Sequence, residues 1–458
     1  IEVAMKALES ASTSSEKWDR MHIEERCICL EKAANAIESE SIKLISLLVF
    51  EAGKTIPDCI AEIREAVDFL RYYAAFARKE FSEPQKFIGI SGEENFMFFE
   101  RRGVFLCISP WNFPLAIFIG QIAAALVMGN AVLAKPAEQT PIIAYEAIKI
   151  LHQSGVPKDV LHFIPGNGEI LGKALIPDHR VSGVAFTGSN QTATIINEML
   201  ANRKSAIVPF IAETGGLNAM IVDSSALPEK VTNDVIDSAF RSSGQRCSSL
   251  RVLFIQDEIA DKQLKMIIGA MEELVIGYPS MISTDIGPII DKQSLDVLLK
   301  HTRKISKEGE LLCRTQIKQE GLKGNFFAPH MYEIKKISQL KHEVFGPILH
   351  VIRYKASNLD DIIYDINNTG YGLTLAIQSR IQNNIDYITK RVLVGNVYVN
   401  RNQIGAVVGL QPFGGRGLSG TGPKAGGPHY LYRFATEKVV SVNTTAIGGN
   451  TTLMCLSE

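Results

Sequence analysis

The stretch "GVFLCISPWNFPLAIFIGQIAAALVMGNAVLAKPA", residues 103–137, decides the fold class. "VFLCISP" is a short apolar run closed by serine and proline, and it reads as a buried strand. "LAIFIGQIAAALVMG" is too long for a strand and ends on a glycine, so it reads as a helix. "AVLAKPA" is a second strand-like run closed by proline. Strand, helix and strand at this pitch make a βαβ unit and hence a parallel sheet. The apolar run 113–129 is interrupted by Gln121 and bounded by Pro114 and Gly129. It falls short of the roughly 20 residues that a membrane span needs, so a buried helix is expected, with no membrane span.

The alternation continues outward. "PIIAYEAIKILHQSG" is a helix, "VLHFIPG" a strand, "ILGKALI" a helix, "VSGVAFTGS" a strand and "QTATIINEML" a helix. A second α/β set follows around "PFIAETGG", "NAMIV" and "LRVLFI", with a boundary near Glu213. Upstream, residues 20–80 read as helices: "HIEERCICLEKAANAIESESIKLISLLVF" repeats apolar residues at helical spacing and stops near Gly53, and "DCIAEIREAVDFLRYYAAFARKEF" does the same. Two β-prone runs, "KFIGI" and "NFMFFERR", flank the turn-like residues 91–94 and signal a hairpin.

Composition excludes several classes. The chain has 458 residues, 46% apolar and 21% charged, with a formal net charge of −1. That is an ordinary globular chain with more than one domain and no basic excess for nucleic acid. Seven scattered cysteines fit free thiols in a reducing, cytoplasmic compartment rather than a disulfide scaffold. Cys27 and Cys29 form a lone C-x-C without the second pair a zinc site needs, so no metal is expected.

A parallel sheet binds ligands beyond the carboxyl ends of its strands. Gly188 and Ser189 stand at such an end, where a helix begins and free N–H groups can hold a phosphate. "PGNGEILG", 165–172, lacks the G-x-G-x-x-G spacing and reads as a turn. Cys247, in "SSGQRCSSL", has small, polar and cationic neighbours where a space-filling cysteine has aliphatic ones. A nucleophilic cysteine working on a carbonyl needs an oxyanion donor, a base and an acceptor for the leaving group or electrons. Asn112 in "SPWNFP", Glu213 in "ETGG", and Glu343 and Phe345 in "HEVFGP" are the available helpers. Singly, each also reads as a turn, cap or surface residue.

Together, "SPWNFP", "KPAEQTP", "FTGS", "ETGG", "GQRC", "EVFGP", "NNTGYGL" and "QPFGG" run in one order across residues 109–415. This set resembles the aldehyde dehydrogenase superfamily, from about residue 20 to the end. The resemblance implies an atypical Rossmann NAD-binding domain from 1–85 and 104–212, with 407–432 returning to it. It implies an α/β catalytic domain at 213–406, and a small β oligomerisation flap from 86–103 and 433–458. It makes Cys247 the nucleophile, Asn112 and the Cys247 N–H the oxyanion donors, and Glu213 the base that activates water. Lys135 and Glu138 would hold the adenine ribose of NAD, Ser189 with Gly188 its pyrophosphate, and Glu343 its nicotinamide ribose, with Phe345 beside the ring. Arg246 and a helix end would lower the thiol pKa.

The loop "VNRNQIGAVVGLQPFGGRGLSGTGPKAGGPHYLYRF" resembles the glutamate-semialdehyde, or Δ1-pyrroline-5-carboxylate, branch, and in particular the dehydrogenase half of bifunctional proline-utilisation proteins. That implies a small-molecule substrate whose α-carboxylate is held by Gly405, Ala406 and Ser248. Its aliphatic chain lies between Phe113 and Phe413, and Glu65 meets the α-amino group. It also implies a homo-oligomer and a fused or partnering proline dehydrogenase, and a start at Ile1 fits an excised domain. Three alternatives stay open: a dehydrogenase for another semialdehyde or an aliphatic aldehyde, a cysteine hydrolase, and a catalytically silent relative.

Overall fold

The computed structural model describes residues 1–89, 92–319 and 321–444. It opens with four helices, α1 (Glu2–Asp19), α2 (Ile23–Ser39), α3 (Ser41–Ala52) and α4 (Ile56–Phe81). The run 22–50, which reads as one helix, is broken at Glu40. Gly53 ends α3 in the left-handed conformation, as its position past the last periodic residue suggests. Helix α1 lies upstream of the predicted helices. Its buried face is Ala4, Ala7, Leu8, Ala11, Ser15 and Trp18. Helical spacing is there, but alanine and serine carry it, and small residues make a faint apolar period.

The 103–201 alternation folds as expected. Strands β3 (Val104–Ile108), β4 (Ala131–Lys135), β5 (Leu161–Phe163), β6 (Val181–Thr187) and β7 (Phe210–Glu213) follow the hairpin strands β1 (Gln85–Phe87) and β2 (Glu93–Arg101). Strands β3 to β7 form one parallel sheet in the order β5-β4-β3-β6-β7. Helices α5 (Ala116–Val127), α6 (Pro141–Gln153), α7 (Gly168–Leu175) and α8 (Asn190–Ala201) connect its strands, and α1, α2 and α4 join the same core. All five strands point their carboxyl ends one way, so Ser109, Lys135, Gly188 and Glu213 emerge along one edge.

Glu213 closes β7 of this sheet, and the second sheet starts six residues later with β8 (Ala219–Val222). Helix α9 (Pro228–Phe240) leads to β9 (Val252–Gln256). Then come β10 (Glu310–Arg314), β11 (His330–Glu333), β12 (Ile348–Tyr354), β13 (Tyr371–Gly372), β14 (Thr374–Gln378) and β15 (Asn396–Val399). The order is β10-β11-β12-β9-β8-β14-β15, parallel except for β10 with β11. The return segment touches both halves. Its β16 (Arg416–Gly417) pairs with β13, Gly420 bridges to Glu213, and Tyr430 and Leu431 join the first core.

The last strand, β17 (Ala435–Asn443), pairs with β2 over nine residues and completes a three-stranded antiparallel sheet with β1. Glu93 and Glu94, expected in the hairpin turn, already belong to β2. Ser91 of that turn, and 445–458 of the tail, lie outside the described residues.

Trp18 shows that α1 is integral. It is 2% exposed, and its indole Nε1 donates to Leu126 O at 2.8 Å, at the end of α5. Trp18→Ala is expected to lower the unfolding free energy by about 3–5 kcal/mol, read from the urea midpoint. A loss under about 1 kcal/mol would mean that α1 is dispensable.

Candidate active site

The site is built on a tight reversal between α9 and Cys247. Ser242 (φ 54), Ser243 (φ 55) and Gly244 (φ 64) are consecutively left-handed. For a non-glycine residue that conformation is strained by about 1–3 kcal/mol. Hydrogen bonds offset it: Ser242 Oγ donates to Asp58 Oδ2 at 2.7 Å and accepts from Arg246 Nε at 2.8 Å, and Ser243 Oγ donates to Gly287 O at 2.8 Å. At Gly244 the positive φ and a Cβ that would collide with the Gly346 carbonyl both require glycine. Beyond the turn, Asn218 Nδ2 donates to Cys247 O (2.6 Å) and Ser249 O (2.9 Å), which fixes the loop from the other side.

The turn delivers Cys247, half-buried, to a cavity that Glu213 also faces. Phe113 and Phe413 form part of its wall, and Glu65 reaches it from α4. Ser248, Gly405 and Ala406 close another side. Gly405 has φ 69 with open space where a side chain would begin, so its backbone is bared to the cavity. Eight residues singled out in the sequence thus meet in one place.

Asn112 stands apart from that wall. Its Nδ2 donates to Gln245 O at 3.1 Å, and its own carbonyl accepts from Lys54 Nζ at 2.8 Å. The amide braces the left-handed turn two residues before Cys247, with one of its N–H hydrogens left over.

Electrostatics overturn one expectation. Burial, then the carboxylates of Glu343, Glu213 and Glu65, push the Cys247 thiol up to about 12. Arg246 does not lower it, because its guanidinium is committed elsewhere: Nη2 pairs with Asp58 Oδ1 at 2.8 Å and Nε bonds Ser242. Helix α9 ends before the turn, so Cys247 does not start a helix of its own. Burial also raises Glu213 to about 8, against a pull from the Gly415 N–H (3.1 Å to Oε2) and Lys424. Glu65 rises to about 7 through burial and Glu62.

The edge where the first sheet ends carries a second set of groups. Lys135 is buried, which lowers its pKa, and its Nζ donates to Pro136 O at 2.8 Å. Glu138 Oε1 accepts from Gly168 N at 2.7 Å, and a Cβ on Gly168 would press within 3.4 Å of Lys135 Cε. So "PGNGEILG", read as a plain turn, starts α7 against this pair. Ser189 caps α8, its Oγ accepting from Thr192 N at 3.1 Å, and Gly188 N donates to Glu213 O at 3.1 Å. Glu343 Oε1 pairs with Arg251 Nη2 at 3.0 Å, and burial raises the Glu343 pKa. Its Oε2 occupies the place a Gly215 Cβ would take. Phe345 meets Trp111 edge-on at 5.5 Å. Among the described residues, no group of three His, Cys, Asp or Glu side chains could hold a metal, and no helix is long and apolar enough to cross a membrane.

Arg251, Asn218 and Gly168 are absent from the sequence-based candidates. Arg251 sits in the quoted "GQRCSSLR", but an arginine reads as a surface residue until its burial is seen.

The aldehyde dehydrogenase family profile matches residues 2–440. The chain belongs to the aldehyde dehydrogenase family. The match starts upstream of residue 20, in agreement with α1. The bifunctional protein PutA of Escherichia coli is 50% identical over 440 residues, covering 94% of this chain and 32% of that protein. The chain therefore spans about a third of the PutA relatives it matches. The 1-pyrroline-5-carboxylate dehydrogenase of a Geobacillus strain is 36% identical, covering 96% and 85% respectively. A crystal structure of bifunctional proline utilization A superposes with a TM-score of 0.95 at 52% identity, covering 98% of this chain and 45% of that one. The Thermus 1-pyrroline-5-carboxylate dehydrogenase with bound NAD superposes at 0.92 with 32% identity, covering 96% and 86%.

The thiol of this aldehyde dehydrogenase should react as its burial dictates. The rate of Cys247 alkylation by iodoacetamide is expected to keep rising from pH 7 to pH 10. A plateau below pH 8 would show a low-pKa thiol and contradict the assignment of Arg246 to Asp58.

Proposed function

We propose that this aldehyde dehydrogenase oxidises L-glutamate γ-semialdehyde to L-glutamate with NAD, the second step of proline breakdown. The observation that carries the reading is the single cavity in which a thiol and a buried carboxylate face the bared backbone of Gly405 and Ala406, with Ser248. Such a pocket suits an aldehyde with a carboxylate at its far end. The names of the relatives, PutA and 1-pyrroline-5-carboxylate dehydrogenase, support the same substrate.

The residues at the sheet edge fit a dinucleotide. The N-terminus of α8 at Gly188 and Ser189 suits a pyrophosphate. Lys135 and Glu138, packed under Gly168, suit the adenine ribose hydroxyls. A carboxylate at 138 repels a 2′-phosphate, which favours NAD over NADP. Glu343 and Phe345 flank the way to Cys247 and suit the nicotinamide ribose and ring. When bound, NAD supplies the hydride acceptor.

The Cys247 thiol first loses its proton to solvent, the resulting thiolate Sγ attacks the aldehyde carbon, and the Cys247 N–H and the remaining Asn112 amide hydrogen stabilise the oxyanion. Loss of hydride leaves an acyl thioester on Sγ. Glu213 then takes a proton from water, whose oxygen displaces the thiol and releases the acid. Phe113 and Phe413 box the chain, and Glu65 meets the α-ammonium. Among the described residues, no histidine base, which a cysteine hydrolase needs, lines the cavity. The exposed apolar residues of the β1-β2-β17 sheet, such as Phe98 and Val439, suit a homo-oligomer contact. A fused proline dehydrogenase and a cytoplasmic home complete the proposal, the latter resting on six unpaired cysteines among the described residues.

Three outcomes test it. Cys247→Ala is expected to abolish NADH formation while NAD binding persists, and Cys107→Ala to leave the chemistry intact; residual turnover of Cys247→Ala within about tenfold of the parent contradicts the nucleophile. Glu213 is ionised only above its raised pKa of about 8, so when hydrolysis limits turnover kcat rises towards pH 8 and levels above it, and Glu213→Gln flattens that limb. For the substrate, kcat/KM is compared with propanal and succinate semialdehyde. An aldehyde without the carboxylate forfeits charged hydrogen bonds from the backbone of Gly405 and Ala406 and from Ser248, at about 1.5–3 kcal/mol each, or roughly a hundredfold in efficiency. Equal use of propanal would refute the carboxylate anchor.

A further inference from the structure

Gln121 interrupts the longest apolar run of the sequence, and catalysis as described gives it no task. It lies in α5 at 4% exposure, with Gly120, Ile122 and Ala123 buried around it. A buried amide is costly unless it is hydrogen-bonded. Its nitrogen is provided for: Nε2 donates to Thr187 Oγ1 at 3.0 Å and to Ile108 O at 3.4 Å. Those two acceptors fix which end of the amide is which. Its oxygen, Oε1, is buried and finds no donor among the described residues.

Glu213 shows the same pattern. Its Oε2 accepts from Gly415 N, while Oε1 is buried and finds no donor among the described residues. The fold links these two groups through Thr187. Thr187, which holds Gln121, is the register partner of Glu213 across β6 and β7. Gln121, Thr187 and Glu213 all face the cavity of Cys247. Two acceptors without donors, on residues that line the cavity of Cys247, call for a small molecule that carries two donors. Water is that molecule.

We propose that Gln121 and Glu213 together hold the water that hydrolyses the Cys247 thioester, which makes Gln121 a catalytic residue of the second half-reaction. Gln121 Oε1 accepts one O–H and Glu213 Oε1 the other, which turns the water lone pairs toward the acyl carbon. The water oxygen bonds to that carbon as Glu213 takes one proton. The C–S bond then breaks with its electron pair returning to Sγ, and the other water hydrogen stays on the carboxyl product. Because Gln121 touches only the water, formation of the thioester does not depend on it. The inference rests on the thioester reading above.

The test is a rapid-mixing measurement on the full chain with NAD and glutamate semialdehyde, comparing the parent with Gln121→Met, an apolar side chain of similar length. The expected result is a burst of one NADH per site at the parental rate, followed by a steady state about tenfold to a hundredfold slower. Hydroxylamine, which attacks thioesters without the water site, is expected to restore turnover and give the hydroxamate. Thr187→Val, which frees the amide, is expected to slow the steady state in the same direction. Steady-state turnover of Gln121→Met within twofold of the parent, or burst and steady rates falling together, would overturn the assignment. The two readings fail separately: parental turnover by Cys247→Ala removes the thioester itself, whereas parental turnover by Gln121→Met alone removes only the water site.

Discussion

The Arg251 guanidinium, buried just ahead of β9, donates to Gly244 O at 2.7 Å and Arg246 O at 3.0 Å on one side, and to Gly346 O at 3.1 Å and Glu343 on the other. It therefore ties the strained turn that presents Cys247 to the "EVFGP" segment that carries Glu343 and Phe345. Its aromatic neighbour is Phe345, 5.2 Å from the guanidinium. Its backbone is held as well, with His350 Nδ1 3.0 Å from Arg251 O and His301 Nε2 2.9 Å from His350 Nε2. Both imidazoles are pushed by burial toward the neutral form, which gives one donor and one acceptor per ring and lets such a chain form. A buried charge that loses its partner costs about 3–5 kcal/mol. The position of Cys247 and that of the residues around it are thus set by one ion.

Low dielectric around this site separates carboxyl groups of similar sequence into different states. Asp58 and Glu65 lie on one helix, seven residues apart. Burial alone would raise both, but Asp58 is held well below the usual carboxylate range by Arg246, Arg241 and the Ser242 hydroxyl. Glu65 has no such partner in contact, and Glu62 adds a like charge, so it stays near 7. Glu62 in turn pairs with Lys54 at 2.5 Å and accepts from Leu115 N, which anchors the start of α5, and Lys54 lies 4.1 Å over the Phe113 ring. The cavity wall and the helix that carries Gln121 are therefore braced by the same buried pair.

Much of this was legible in the chain. The strand-helix alternation of 103–201 is strong because buried parallel strands are continuous apolar runs closed by Gly and Pro. Strand-end residues such as Glu213 and Ser189 follow from that reading, since ligands gather at carboxyl ends. What stayed hidden depends on contacts distant in sequence. Burial and the carboxylates of Glu343, Glu213 and Glu65 raise the thiol that Arg246, committed to Asp58 188 positions away, was expected to lower. Gly168 meets Lys135 and Glu138 only through the sheet. Asn112 was found by its motif, but its hold on Gln245 O could not be read from spacing. Gln121 was visible as an interruption, but its link through Thr187 to Glu213 emerges only from the strand register.

Oxidation through an acyl group on Cys247, which Glu213 is proposed to remove, would leave an intermediate that can be trapped. Acid quenching of Glu213→Gln during turnover with NAD and glutamate semialdehyde, followed by peptide mass spectrometry, tests it directly. The expected result is a glutamyl acyl adduct that accumulates on the Cys247 peptide and vanishes with hydroxylamine. An adduct on another cysteine, or sustained NADH formation with Cys247 never acylated, would contradict it.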